Sequence, residues 1–218
     1  MAGGFRGKVK ASGLQLELAC LDAAGDWEPW LSPAEARRAE GMANAILRAR
    51  FVVSRGLRRK VLAGILVCRG EDLVIVEDAD SKPRLQDGHR WDFNLSHAGD
   101  YVALVVGRGE VGVDLEKIRP VREMAALVER YFHADEARVW RALPEVRQKM
   151  AFFILWSARE AAMKCLGLGL AAGLGKTRVD PAILETGQAA AEVGGRGVTL
   201  RQVEAPPGYV LVTAESVS

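Results

Sequence analysis

Apolar and polar positions alternate in "LQLELACL" at 14–21, the period of a strand with one face buried. "LSPAEARRAEGM" then announces a helix: Ser32 suits the N-cap, Pro33 the first helical position and Glu35 the third, which makes a capping box. Helical patterning continues to about residue 66, with a break near Gly41. "EDLVIVED" at 71–78 reads as a strand, and "ADSKPRLQDGHR" as the loop after it. Residues 91–116 carry three apolar segments, "WDFNLS", "YVALVV" and "VGVDLE". The breaks between them, "HAGD" and "GRGE", are short and contain glycine, so both predict antiparallel hairpins. Past Pro120, helical patterns cover about 122–143 and 145–166, the second closing on the Gly-rich "GLGLAAGLGK". The tail, "GVTLRQVEA" and "GYVLVTAES", predicts a strand pair joined through Pro206, Pro207 and Gly208.

Strand, helices, strands therefore occur twice, with a divide near 107–120. This order predicts an α+β protein of two similar subdomains, 1–110 and 111–218, each a small antiparallel sheet with packed helices. Hydrophobic residues make up 49% and charged residues 27%, an ordinary globular composition, and a net charge of +2 is too mild to argue for nucleic acid. Cys20, Cys68 and Cys165 are far apart and fit neither a metal-ligand spacing nor a disulfide framework, so they read as reduced thiols. No apolar run approaches the roughly 18 residues of a membrane span. "MAGGFRGKVKASG" lacks the apolar core of a secretion signal and reads as a loose leader. A cytoplasmic, soluble protein is the expectation.

The candidate chemistry starts at "GVDLEKIRP", 112–120, where a period of two puts Asp114 and Glu116 on one strand face. Two carboxylates about 5 Å apart repel by roughly 3 kcal/mol at an effective dielectric of about 20. Solvent would screen that cost on an exposed edge, and a bound cation would reverse it. A third carboxylate, Glu160, stands four residues before Lys164 on an apolar helix, with Trp156 one turn earlier on the same face. That pair reads either as a surface i, i+4 ion pair or as part of a site. Three carboxylates would suit Mg²⁺, a hard ion that takes oxygen ligands. Ser96 and His97 are adjacent on a strand and point apart, so they are not a nucleophile–base pair. They read as phosphate contacts or as a turn serine and a surface histidine. Residues 41–70 hold seven bases and no acid, which reads as a solvated face or as a surface for phosphate or an acidic partner. Phe51 is the sole aromatic in that stretch, so base stacking is poorly supported.

Five stretches carry a resemblance: "SKPRL" at 81–85, "FNLSHAGD" at 93–100, "VGVDLEKIRP" at 111–120, "RYFHADE" at 130–136 and "WSAREAAMKCLGLGL" at 156–170. In that order and spacing they resemble the phosphopantetheinyl transferase superfamily, specifically the monomeric, two-subdomain type that activates carrier proteins of nonribosomal peptide and polyketide synthases. The resemblance implies that Asp114, Glu116 and Glu160 bind Mg²⁺ and that Lys164, Ser96 and His97 contact the phosphates of coenzyme A. It places Lys82 and Pro83 along the adenosine, and Arg38 near the ribose phosphate, with Arg37 and Arg50 as further candidates. Coenzyme A would lie between the subdomains, its pyrophosphate on the metal. A serine of an apo acyl or peptidyl carrier protein would attack the phosphorus bearing the pantetheine arm, and adenosine 3',5'-bisphosphate would leave.

Glu160 is then the candidate general base and Lys164 the second catalytic residue. An ordinary Glu pKa near 4.3 makes a weak base for a serine hydroxyl. Two departures stand out: Ser81 where the family often has Gly, and Arg159 where Lys usually precedes the metal Glu. A transferase serving mainly fatty-acid acyl carrier protein and a non-catalytic coenzyme A or carrier-protein binding module are the competing readings. Neither nucleic acid nor membrane is an expected partner, and a monomer is expected. The basic stretch and the helix near 122–143 are the candidate docking elements.

Overall fold

A computed structural model describes residues 8–11, 13–22, 25–77, 82–86, 90–169 and 173–217. Ser81 lies outside the described residues. The described chain is α+β, with every ladder antiparallel. A four-stranded sheet contains β1 (Lys8–Ala11), β2 (Leu14–Cys20), β5 (Trp91–Ala98) and β6 (Tyr101–Arg108), in the order β1-β2-β6-β5. A five-stranded sheet contains β7 (Val111–Lys117), β8 (Thr177–Val179), β9 (Gln188–Val193), β10 (Arg196–Val203) and β11 (Tyr209–Ser216), in the order β7-β11-β10-β9-β8. Two short strands, β3 (Ile75–Val76) and β4 (Arg84–Leu85), pair with each other.

The helices form where the signals stood. α1 (Pro33–Glu40) opens on the capping box: Glu35 N donates to Ser32 Oγ at 3.3 Å and Ser32 N to Glu35 Oε2 at 3.0 Å. After Gly41 the chain restarts at Asn44, which caps α2 (Ala45–Leu66). α2 lays Leu57, Leu62 and Ala63 against Phe93, Val102, Leu104 and Val106 of the first sheet. α5 (Glu145–Cys165) crosses the second sheet and packs Phe152, Leu155, Ala158 and Ala162 against Val210, Val212 and Leu200. A third cluster, Leu14, Leu16, Leu18, Val105, Val113, Leu115 and Leu211, fills the space between the two sheets.

Several expectations are corrected. β6 and β7 are no hairpin, because β7 leaves the first sheet and pairs with β11 instead. Of the expected 71–78 strand only Ile75–Val76 is strand among the described residues: Arg59 Nη1 donates to Gly70 O at 2.7 Å and Leu73 O at 2.8 Å, holding Gly70–Asp72 in a 3₁₀ turn. The 122–143 pattern divides into α3 (Met124–Tyr131) and α4 (Ala134–Ala142), with Phe132 extended and buried between them. The leader contributes β1, which turns back along β2 at Gly13, where φ is +86°. β8, β9 and a short α6 (Ile183–Thr186) precede the expected tail pair. Ala189, Ala190 and Ala191 gave β9 little strand propensity to read.

The basic stretch is also less open than its composition suggests. Arg58 and Arg59 are buried and paired with Glu35, and Arg58 and Arg55 both reach Glu77. Arg159, which stands where the family usually has Lys, points into the interior. It pairs with fully buried Glu136 of α4 and donates to the carbonyls of Leu174, at 3.2 Å, and Thr177. Glu136 also accepts from Val179 N at 2.7 Å, so one ion pair pins α4, α5 and β8 together. The three cysteines are free thiols. Among the described residues no helix is long and apolar enough to cross a membrane.

Removing one partner of a buried pair strands the other charge at a cost of about 3–5 kcal/mol. Glu136→Ala should therefore lose that much stability in urea unfolding, while Glu129→Ala, at an exposed pair with Arg141, should stay within about 0.5 kcal/mol of the parent.

Candidate active site

The site is assembled where β5, β7 and α5 meet. Along β5, Asp92, Asn94 and Ser96 alternate and so share one face. Each accepts a backbone N–H from β7: Asp92 Oδ2 from Val111 at 2.9 Å, Asn94 Oδ1 from Val113 at 3.0 Å, and Ser96 Oγ from Leu115 at 3.2 Å. Side chains thus replace the backbone ladder between the sheets. Lys82 closes one end of this row, binding Asp92, Val111 O at 2.6 Å and Cys165 O at 3.3 Å.

α5 lies directly on β7 because residue 112 is glycine. A Cβ there would fall well inside van der Waals contact of Ala161 O and Cys165 N. This approach brings Glu160 and Lys164, one helical turn apart, over Asp114. Lys164 Nζ lies 2.5 Å from Asp114 Oδ1, 3.2 Å from Ser96 Oγ and 3.3 Å from Glu160 Oε2. Glu116, two residues along β7, is held by Arg119 at 3.1 Å.

The electrostatics are unbalanced toward negative charge. Burial, then the Asp114 carboxylate, pushes the Glu160 pKa up, against the opposing pull of Lys164 and a hydrogen bond from Trp156. Burial, then Asp114, likewise raises Glu116, and Glu160 adds to the effect. Burial alone would lower the Lys164 pKa, but Asp114 and Glu160 outweigh it and the ammonium is held above its ordinary value. Asp114 is 2% exposed, and its Oδ2 is buried without a hydrogen-bond partner among the described residues. An all-oxygen donor set with one orphaned carboxylate oxygen fits a hard divalent cation. As the side chains stand, Lys164 fills the centre, and no trio of His, Cys, Asp or Glu among the described residues surrounds a common metal position.

The other expected residues divide. His97 is exposed and Ser96 buried, on opposite faces of β5 as adjacent strand residues must be. Arg50 reaches the turn after His97: it donates to Gly99 O at 3.0 Å and pairs with Asp22 at 3.1 Å and Asp100 at 3.3 Å. Asp100 is also held by Lys117 at 3.2 Å and the Tyr209 hydroxyl at 3.3 Å. Arg38 is exposed on α1 and lies over the Phe51 ring. Lys82 has its ammonium bound by protein acceptors, with Pro83 half-buried beside it. Sequence reasoning missed Asp92, Asn94, Arg119 and Tyr209. The strict polar alternation of "WDFNLSHA" was the available signal for the first two. An open cavity of about 750 Å³ lies elsewhere, between α4 and the β8–β9 edge, and none of the residues above lines it.

A family model, that of the 4'-phosphopantetheinyl transferase superfamily, matches residues 110–205, the stretch that holds Asp114, Glu116, Glu160 and Lys164. A 4'-phosphopantetheinyl transferase of Bacillus pumilus, psf-1, is 33% identical over 147 residues, 67% of this chain and 62% of its own. The chain belongs to the 4'-phosphopantetheinyl transferase superfamily. Within that superfamily, HetI of Nostoc sp. is 31% identical over 65% of this chain and 63% of its own. AcpT of Salmonella typhi is 37% identical over 43% and 49%. The matched stretch thus spans less than two thirds of these relatives' own lengths.

The raised Glu160 pKa means that the folded protein binds this proton more tightly than the unfolded chain. Ionising it above the carboxyl range therefore costs stability. Glu160→Gln should raise Tm in metal-free buffer at pH 8, by about 2–4 °C for each kcal/mol of repulsion relieved. The difference should shrink as pH falls and the parent's carboxyl protonates; thermal melts at pH 4.5 and pH 8 measure both.

Proposed function

We propose that this protein transfers the 4'-phosphopantetheine arm of coenzyme A to a serine of an apo acyl or peptidyl carrier protein. The supporting observation is the cluster of Asp114, Glu160 and Lys164, with its unpartnered buried carboxylate oxygen, inside the stretch matched by the superfamily, with Ser96 reaching it from β5.

Asp114, Glu116 and Glu160 would hold Mg²⁺, which supplies positive charge to the pyrophosphate as the phosphorus–oxygen bond breaks. The remaining steps belong to the chain's own groups. Lys164 stays charged and offers a fixed ammonium to the phosphate oxygens. Its contact to Glu160, at 3.3 Å, is the one that must open for Glu160 to take a proton. Glu160, released from Lys164, is the general base for the carrier serine. Its place beside Lys164 and Asp114 supports the role through positioning, since an ordinary glutamate is a weak base for a serine hydroxyl.

The proton it takes comes from the serine hydroxyl, whose oxygen forms the new bond to phosphorus. The leaving group is adenosine 3',5'-bisphosphate. His97, beside the turn closing β5, and Arg50, which reaches that turn from α2, are candidates for the nucleotide phosphates. The protein would act as a cytoplasmic monomer on acidic, helical carriers.

The test incubates the protein with Mg²⁺, coenzyme A and a panel of apo-carrier proteins, fatty-acid acyl carrier protein among them, and reads intact mass. A gain of one phosphopantetheine, abolished by EDTA, is expected. Folded protein that modifies no carrier would sink the proposal. Glu160→Gln should lower kcat by about 100-fold or more while calorimetry shows coenzyme A affinity changed only a few-fold; unaltered turnover would remove Glu160 as the base.

A further inference from the structure

Ser96 occupies a position that its hydrogen-bond arithmetic makes unusual. A serine hydroxyl has one hydrogen to donate and two lone pairs to accept with. Leu115 N–H and the Lys164 ammonium can only donate, and both point at Ser96 Oγ, at 3.2 Å each. The lone pairs are therefore taken. The single hydroxyl hydrogen goes to Asp114 Oδ1, 3.1 Å away, an oxygen that also accepts from Lys164. Ser96 is 5% exposed and Asp114 is 2% exposed, so water replaces none of these bonds cheaply.

A phosphate oxygen can only accept hydrogen bonds. Ser96 has no hydrogen left for one unless it abandons a buried carboxylate. We infer that Ser96 is not a phosphate ligand but a positioning residue: it fixes the rotamer of Asp114 and the direction of Lys164, and so sets which carboxylate oxygen is left for a cation. With Oδ1 bonded to Ser96 and Lys164, Asp114 Oδ2 is the oxygen left buried and unpaired. The hydroxyl is itself held to β7 by Leu115 N, so the carboxylate is aligned from β5, across the sheet boundary, rather than by its own strand. This inference rests on the proposed cation site and specifies how that site is kept in shape.

Groups that orient a metal ligand typically cost about 10–100-fold in metal affinity or activity when removed. The experiment measures Mn²⁺ binding by electron paramagnetic resonance, and, separately, coenzyme A binding by calorimetry in EDTA. It uses the full chain, Ser96→Ala, the nearly isosteric but weakly hydrogen-bonding Ser96→Cys, and Ser96→Thr, which keeps the hydroxyl. Positioning predicts that Ala and Cys weaken Mn²⁺ binding about tenfold or more, that metal-free coenzyme A affinity stays within twofold, and that Thr restores most of the Mn²⁺ affinity. A phosphate ligand gives the opposite pattern, with coenzyme A affinity lost in EDTA and Mn²⁺ affinity kept, and that result overturns the inference. Parent protein that binds Mn²⁺ no better than Ser96→Ala also overturns it. Parent protein that binds no Mn²⁺ at all overturns the cation site itself, a separate failure read before any variant is compared.

Discussion

β7 has a backbone partner on one side only. On the other side its N–H groups at Val111, Val113 and Leu115 are capped by Asp92, Asn94 and Ser96 of β5, three side chains standing where a strand would be. Left buried without these acceptors, each N–H would cost about 1–3 kcal/mol. The substitution has a geometric consequence: side-chain acceptors hold two sheets together without merging them, so the seam between them stays open to polar groups. β7 is thus shared between a four-stranded sheet, a five-stranded sheet and α5, which approaches closely only because residue 112 has no side chain. Every charged group of the site, from Asp114 to Lys164, takes its place from that strand.

The treatment of buried charge separates structure from function. In the two supporting networks both oxygens of the carboxylate are used. Glu136 binds Arg159 and Val179 N, and Glu35 binds Arg58, Arg59 and the Ser32 backbone. At the site one oxygen of Asp114 has no partner, and Asp114 adds its repulsion to burial in raising Glu116 and Glu160, whereas Glu136 is raised by burial against the pull of Arg159. Repulsion maintained at one place, beside networks that satisfy their carboxylates, is what the proposed cation site would require of the chain.

Much of this was legible in the sequence. The capping box at Ser32 and Glu35, the break at Gly41, the α5 pattern and the hairpin through Gly99 are local signals, and local hydrogen bonds honour them. Strand and helix periods put Asp114 with Glu116 and Glu160 with Lys164 on one face each, but it was the family resemblance that joined the two pairs into one expected site. What was hidden depended on long-range partners. β7 reads as the third strand of a meander until its partner, nearly 100 residues later, claims it. Arg58 and Arg59 look like surface charge until Glu35 and Glu77 fold over them. Lys82 looks like a ligand-binding base until Asp92 and two carbonyls surround it. Polar residues alternating on a strand look solvated, and nothing in "WDFNLSHA" says that a second strand will need them.

The side-chain seam is the claim from which the rest follows, and amide hydrogen exchange tests it directly. If Asp92, Asn94 and Ser96 close β7 as a strand would, the amides of Val111, Val113 and Leu115 exchange only through global unfolding, as slowly as those of Gly112, Asp114 and Glu116 that face β11. Asn94→Ala should then release the Val113 amide while leaving those facing β11 protected. Exchange of Val111, Val113 and Leu115 at loop-like rates in the parent protein would contradict the account.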